Sequence, residues 1–251
     1  EEIGAKTDFF PLLSGKIGRE TLISLYCPES GARWEETIKP ISSGKLSDLL
    51  YKRWVAQRAD EVKKLSQGKL GYVHIPSMDD ESFRKVYSDA LGKYYNCDGI
   101  VIDIRNNGGG RLHEDIEVLF TGTKYLEQMT KGRDYCPMPS RRWTKPSVMV
   151  TCEADYSNAH GTPWVYQTMK IGKIVGMPVP GTMSSVNWIT LQNPAIYFGE
   201  PAIGYMTKEG YYLENHQVEP DVKQPMDFTE ALQGRDTQLK RAVEVLRSEM
   251  K

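Results

Sequence analysis

From residue 70 onward the chain alternates short apolar runs with stretches of helical period. "LGYVHIP" precedes "DESFRKVYSDALGKYY", and the apolar "GIVIDIR" runs into a glycine cluster and then "HEDIEVLF". "PSVMVT" leads through a polar turn into an amphipathic helix opened by Ser157, and "KIVGMPV" follows. Strands separated by helices predict parallel βαβ units with right-handed crossovers. "NWITL", "AIYFG" and "AIGYMT" have strand composition without intervening helices, which predicts an antiparallel extension. "DTQLKRAVEVLRSEM" predicts a closing helix capped by its aspartate.

Ahead of residue 70 the pattern differs. "TDFFPLLSGKIG" predicts a short helix with a threonine at its start and a glycine at its end, and "ETLISLYC" and "RWEETIKPI" predict two strands joined by the turn "PESGA". One helix and two strands are too little to close a core. Residues 43–69 carry apolar positions at Leu46, Leu49, Leu50, Trp54, Val62 and Leu65, the period of one long connecting helix. The division predicted is therefore 1–42, a helix over 43–68, and a core over 69–251.

At 251 residues and 39% hydrophobic content the chain is able to bury a substantial core. Its net charge of −1 gives no electrostatic reason to expect nucleic acid or an anionic membrane as partner. No apolar run approaches the roughly 20 residues of a membrane span. The opening "EEIGAKTDFFPLL" has neither the basic nor the apolar region of a signal peptide and no initiator Met, so it reads as a mature product or a cut piece of unknown compartment. The four cysteines, Cys27, Cys97, Cys136 and Cys152, form no CxxC pair, and neither a metal nor another cofactor is implied.

Three stretches carry candidate chemistry. In "GIVIDIRNNGGG" a buried strand ends in Gly108, Gly109 and Gly110. Glycines there allow positive φ or close approach of a ligand, and their N–H groups could receive an anion or a developing oxyanion. A tight turn with no ligand explains the same residues. In "VMVTCEADYSNAHG" the order strand, sharp turn, serine, helix resembles a nucleophile elbow, although GxSxG is absent. Ser157 is equally a favoured N-cap. In "YYLENHQVEPDV" Glu214 or His216 could orient a catalytic group, or the stretch is a solvated loop.

Taken together and in this order, "GKLGYVHIPSM", "IDIRNNGGG", "EADYSNAHG", "IGKIVGMPVPGT", "LENHQVEPDV" and "GRDTQLKRAVEVL" resemble the catalytic core of the tricorn-type serine peptidases. These are related to the tail-specific, carboxyl-terminal-processing proteases. The resemblance covers residues 45–251 and implies an α/β fold, a layered core of mixed parallel and antiparallel strands with helices, as in ClpP and crotonase. Residues 1–42 resemble the second half of the PDZ-like domain that precedes this core. By the resemblance Ser157 is the nucleophile and Glu214 completes the relay. Gly108, Gly109 and Gly110 bind substrate backbone, and Asn158 supplies a second oxyanion amide. An acidic side chain that sets selectivity in the family has its nearest counterparts in Glu127 and Gln128.

The resemblance implies a peptide substrate and a homo-oligomer for the full-length protein. It also places the general-base histidine ahead of the PDZ-like domain, upstream of these residues. Within them His74 reads as packed in a strand and His113 as part of a helix. His160, three residues after Ser157, and His216, two after Glu214, are the substitutes to consider. The chain by itself is then a weak peptidase. The reading from another class is a peptide-binding module without catalysis.

Overall fold

The computed structural model describes residues 3, 4 and 6–250. The chain divides into two compact units, residues 1–56 and 57–251, and the division falls within helix α1 (Ser43–Leu65) rather than at its ends.

In the first unit strands β1 (Thr21–Tyr26) and β2 (Arg33–Ile38) pair antiparallel, Thr21 opposite Ile38. The helix expected in "TDFFPLLSGKIG" is only a 3₁₀ turn over Pro11–Leu13, because Gly15 and Gly18 take φ of 71° and 73° and turn the chain away. Apart from Pro40, no apolar side chain among the described residues of this unit is buried.

The second unit is built on a five-stranded, wholly parallel sheet. It comprises β3 (Leu70–His74), β4 (Gly99–Asp103), β7 (Ser147–Thr151), β8 (Lys173–Gly176) and β11 (Val222–Lys223), in spatial order β11-β8-β7-β4-β3. Every residue of β4 and β7 is buried, the mark of strands covered on both faces. Side chains alternate across the sheet. Ile100, Ile102, Ile104, Met149 and Ile174 join one apolar cluster with Val86, Ile116, Leu119 and Tyr166. These last come from the crossover helices α2 (Asp80–Ser88), α3 (His113–Phe120) and α4 (Asn158–Thr168). Consecutive parallel strands added in one direction by crossovers of one hand place those helices on a single face. The closing helix α6 (Thr237–Glu249) packs against β4, β7 and β8 through buried Leu239, Val243 and Leu246. Its cap is the Asp236 carboxylate, which accepts from Leu239 N at 2.9 Å.

A buried ion network fastens α6 to β4. Arg105, 3% exposed, lies 2.6 Å from the Asp103 carboxylate and 2.9 Å from that of Asp236. Tyr72 donates its hydroxyl proton to Asp103 at 2.9 Å, and Arg105 also donates to Gln238 at 3.0 Å. Breaking such a network by removing one member costs about 3–5 kcal/mol, because the remaining charge stays buried.

Antiparallel pairing occurs in separate hairpins. β9 (Ser184–Thr190) pairs with β10 (Tyr197–Gly204), and the two strands expected in "AIYFG" and "AIGYMT" are this one strand, with a register shift between Pro201 and Ile203. Pro201 has no N–H to give a ladder, which suits it to a bulge. The hairpin of β5 (Leu126–Thr130) and β6 (Arg133–Met138) has no counterpart in the sequence reading. Its signal was the dipeptide Lys131-Gly132, both at positive φ, as a two-residue hairpin turn requires. α2 ends in a π turn over Asp89–Lys93, and the short α5 (Phe228–Leu232) was also not foreseen.

Candidate active site

The loops that follow β3, β4, β7 and β8 meet at the carboxyl edge of the sheet, where open parallel sheets collect ligands. After β7 the chain makes a tight turn. Cys152 N–H donates to Asp155 Oδ2 at 2.9 Å, and Tyr156 N–H donates to Asn107 O, also at 2.9 Å. Burial pushes the Asp155 carboxyl up to about 7 and the Cys152 thiol up to about 11, so both resist ionisation inside this turn.

Ser157 then stands at the start of α4 with φ 57° and ψ −119°. A non-glycine residue occupies that region only when its surroundings force it, at a cost of about 1–3 kcal/mol. Its hydroxyl makes no capping bond to α4. Ser157 N–H is held instead by Thr182 Oγ1 at 2.8 Å, and Ser157 O accepts from His160 N at 2.8 Å. The capping explanation of Ser157 therefore fails on geometry.

The glycine loop lies directly against it. A β-carbon on Gly109 would stand 3.1 Å from Ser157 Oγ, and one on Gly110 would stand 2.2 Å from Met78 O. Gly109 and Gly110 have φ of 96° and 134°. Met78 N donates to Gly109 O, and Arg111 N to Met78 O, which fixes the loop beside β3. Gly109 N–H is already taken by Asn107 Oδ1 at 2.8 Å, so this glycine contributes close approach rather than a free donor. Among the described residues no acceptor meets the amides of Gly108, Gly110 or Asn158.

Asn107 and Asn158 are the joints of the site. Asn107, fully buried, donates Nδ2–H to Ile75 O at 2.8 Å, receives Gly109 N–H on Oδ1 and accepts Tyr156 N–H on its carbonyl, and so ties together the loops after β3, β4 and β7. Asn158 Oδ1 accepts from the amides of Leu112 and His113 at 2.8 and 3.1 Å, and its Nδ2–H donates to His113 Nδ1 at 2.7 Å. The α4 start is thereby tied to the α3 start.

Glu214 enters from the loop before β11, with the chain reversing at Asn215, φ 63°. Its Oε2 accepts from Ser184 Oγ at 2.7 Å. The segment Gly181–Ser184 thus touches both principal candidates, Thr182 on Ser157 and Ser184 on Glu214. Neither Thr182 nor Ser184 was singled out in the sequence, where "GTMSS" offers only ordinary polar residues. A β-carbon on Gly181 would stand 2.3 Å from His216 N, so glycine is needed for this segment to lie on the Glu214 loop.

Each of His113, His160 and His216 is held through one ring nitrogen by a group other than Ser157, and His160 Nδ1 is buried without a partner among the described residues. His160, fully buried, donates Nε2–H to His216 O at 2.9 Å. Burial lowers its pKa, opposed by that carbonyl and by the charge of Glu214. His216 donates Nδ1–H to Glu214 O at 3.1 Å, and His113 accepts from Asn158. Among the described residues none of these three is hydrogen-bonded to Ser157 Oγ. Half-buried His74 meets Arg105 O at 3.3 Å on β3. Glu127 and Gln128 lie on β5, and among the described residues neither has a hydrogen bond or ion pair to Ser157, Glu214 or the glycine loop; Glu127 pairs with Lys124.

A buried parallel sheet delivering a strained serine against a glycine loop defines a hydrolase-like α/β site, and the chain belongs to Peptidase family S41, whose model matches residues 69–224. It is similar to the tricorn protease homolog of Saccharolobus solfataricus, with 25% identity over 244 residues, covering 93% of this chain and 22% of that protein. It is also similar to tricorn protease homolog 1 of Streptomyces coelicolor, with 25% identity over 234 residues, 93% of this chain and 22% of that one. The crystal structure of the tricorn protease superposes with a TM-score of 0.86 at 22% identity, over 100% of this chain and 24% of that chain. The chain thus spans about a quarter of the length of these relatives.

Proposed function

We propose that the protein is a serine endopeptidase acting on peptides or unfolded polypeptides, with Ser157 as nucleophile. Ser157 Oγ attacks the scissile carbonyl carbon, and its proton passes to a histidine base and then to the leaving amine. The tetrahedral oxyanion is received by Asn158 N–H and the amides of the glycine loop, Gly110 and Gly108 being those without an internal acceptor. Water then cleaves the acyl ester by the same route in reverse. Glu214, bonded to Ser184, orients the base. The base itself comes from outside the 251 residues, which is supported by the lack, among the described residues, of a hydrogen bond from His113, His160 or His216 to Ser157 Oγ. The observation that carries the reading is the strained Ser157, its hydroxyl unused as a cap and set over Gly109.

The domain reading belongs to the same proposal: residues 1–42 as the second half of a PDZ-like domain, 43–68 as connecting helix, 69–251 as catalytic core. So does self-association of the full-length protein, supported by the β9–β10 hairpin, which exposes Trp188, Tyr197, Phe198 and Ile203. A two-stranded hairpin is marginal in water unless it packs on something.

The competing reading, a peptide-binding module without catalysis, is favoured by the absence, among the described residues, of a histidine bonded to Ser157 Oγ. A fluorophosphonate probe on the full-length protein separates the two. Labelling lost in Ser157→Ala supports the peptidase; no labelling of the unaltered, folded protein leaves only the binder.

A further inference from the structure

The first turn of α4 meets the chain that carries Glu214 through the side chain of His160. This residue is fully buried, and its Nε2–H donates to His216 O at 2.9 Å. A carbonyl only accepts, so Nε2 carries the proton. Burial lowers the pKa of the ring, which keeps it a neutral donor. Nδ1 is buried without a hydrogen-bond partner among the described residues. An apolar side chain would fill the space with no unpaired nitrogen, so packing alone does not account for an imidazole here. Gln167, two turns further along α4, donates to Glu219 O at 3.1 Å, outside the turn that carries Glu214.

The carbonyl that His160 holds closes the turn on which Glu214 sits. His216 N donates to Leu213 O at 3.1 Å and Asn215 has φ 63°, so Glu214 and Asn215 are the central pair of that turn. A second fastening runs from Asn215 N to Gly181 O at 2.9 Å, at the start of the segment whose Thr182 and Ser184 reach Ser157 and Glu214. On the helix side, His160 N donates to Ser157 O at 2.8 Å. His160 is thus bonded through its amide to the backbone of Ser157 and through its ring to the end of the Glu214 turn.

We propose that His160 is a positioning residue, which sets the distance between Ser157 and Glu214 by tying the first turn of α4 to the Glu214 turn. The imidazole is buried and meets no substrate, so its effect on the chemistry passes through Glu214. Without its bond the turn is left on the Gly181 fastening and the carboxylate shifts. A misplacement of about 1 Å costs on the order of 10²-fold in rate. The inference rests on the peptidase reading for the role of Glu214; the tie between the two turns stands without it.

The test compares His160→Leu with His160→Gln in the full-length protein. Gln keeps an N–H donor on a side chain of similar reach, and Leu offers none. In His160→Leu the amides of Asn215 and His216 exchange with deuterium about tenfold faster, while those of β4 and β7 are unchanged. In the same variant kcat falls by about 10- to 100-fold at constant KM. In a Glu214→Gln background the His160→Leu change lowers kcat no further, as expected of two residues acting through one group. His160→Gln restores slow exchange and most of kcat. Faster exchange throughout the core, an equal loss of kcat in both backgrounds, or a Gln variant no better than Leu overturns the proposal, because His160 then serves packing alone. Unchanged exchange at Asn215 and His216 overturns it as well. If the unaltered protein cleaves nothing, the peptidase reading fails on that result, and the exchange comparison decides by itself whether His160 holds the turn.

Discussion

Gly109 and Ser157 are in contact: a β-carbon on the glycine would lie 2.6 Å from the serine Cβ and 3.1 Å from its Oγ. Gly109 also has φ 96°, so alanine is strained there before any clash is counted. Gly109→Ala is expected to cost about 1–3 kcal/mol of stability and to displace Ser157 Oγ. The measurement pairs thermal melting with the rate of fluorophosphonate labelling in the full-length protein. Unchanged labelling would mean that the glycine loop has no part in the chemistry.

Ser157 itself stores strain that glycine would release. At φ 57°, ψ −119° a glycine pays no steric penalty, though it loses more chain entropy on folding. Ser157→Gly should therefore melt above Ser157→Ala, with a net gain of about 1 kcal/mol, and both should lose labelling. A glycine variant no more stable than the alanine variant would show that the elbow is unstrained in solution.

The architecture was legible wherever burial was two-sided. β4 and β7 are continuous apolar runs because helices cover both faces, and continuity survives in sequence. The β5–β6 hairpin was not legible, because its strands are mostly exposed and carry mixed residues; only Lys131-Gly132 marked it. Ser157 was readable as a strand-to-helix serine, but its φ and its unused hydroxyl are tertiary facts, imposed by Thr182 and Asn107 from distant loops. Ser184 was invisible for the same reason: a serine acquires meaning only from the carboxylate it meets, 30 residues away.

Glu214→Gln keeps an oxygen for Ser184 and removes the charge. In the full-length protein kcat should fall by about 10²-fold or more, with KM and melting temperature unchanged. A rise in KM with kcat intact would assign Glu214 to substrate binding instead.

Asp155 gives a pH signature. Its carboxyl is raised by burial to about 7, so the folded state holds a proton that the unfolded state has released above about pH 4. Its contribution is fully present below the unfolded value and is lost as pH rises through 7. Compared with Asp155→Asn, the unaltered protein should lose about 2–4 kcal/mol between pH 4 and pH 8. Melting curves of both across that range check the sign; a parallel pair would show that Asp155 is ionised throughout.

The Asp103–Arg105–Asp236 network has a temporal side. Arg105 sits at the base of the glycine loop, and Asp236 lies 131 residues further along the chain. During synthesis the guanidinium must wait for the second carboxylate, and domains consolidate as units once their segments have emerged. A growing chain already carries the glycine loop and Ser157, yet β4, which leads into that loop, is not clamped to α6 until α6 has been made. The clamp at the base of the glycine loop therefore closes only after the segment carrying Asp236 has left the ribosome.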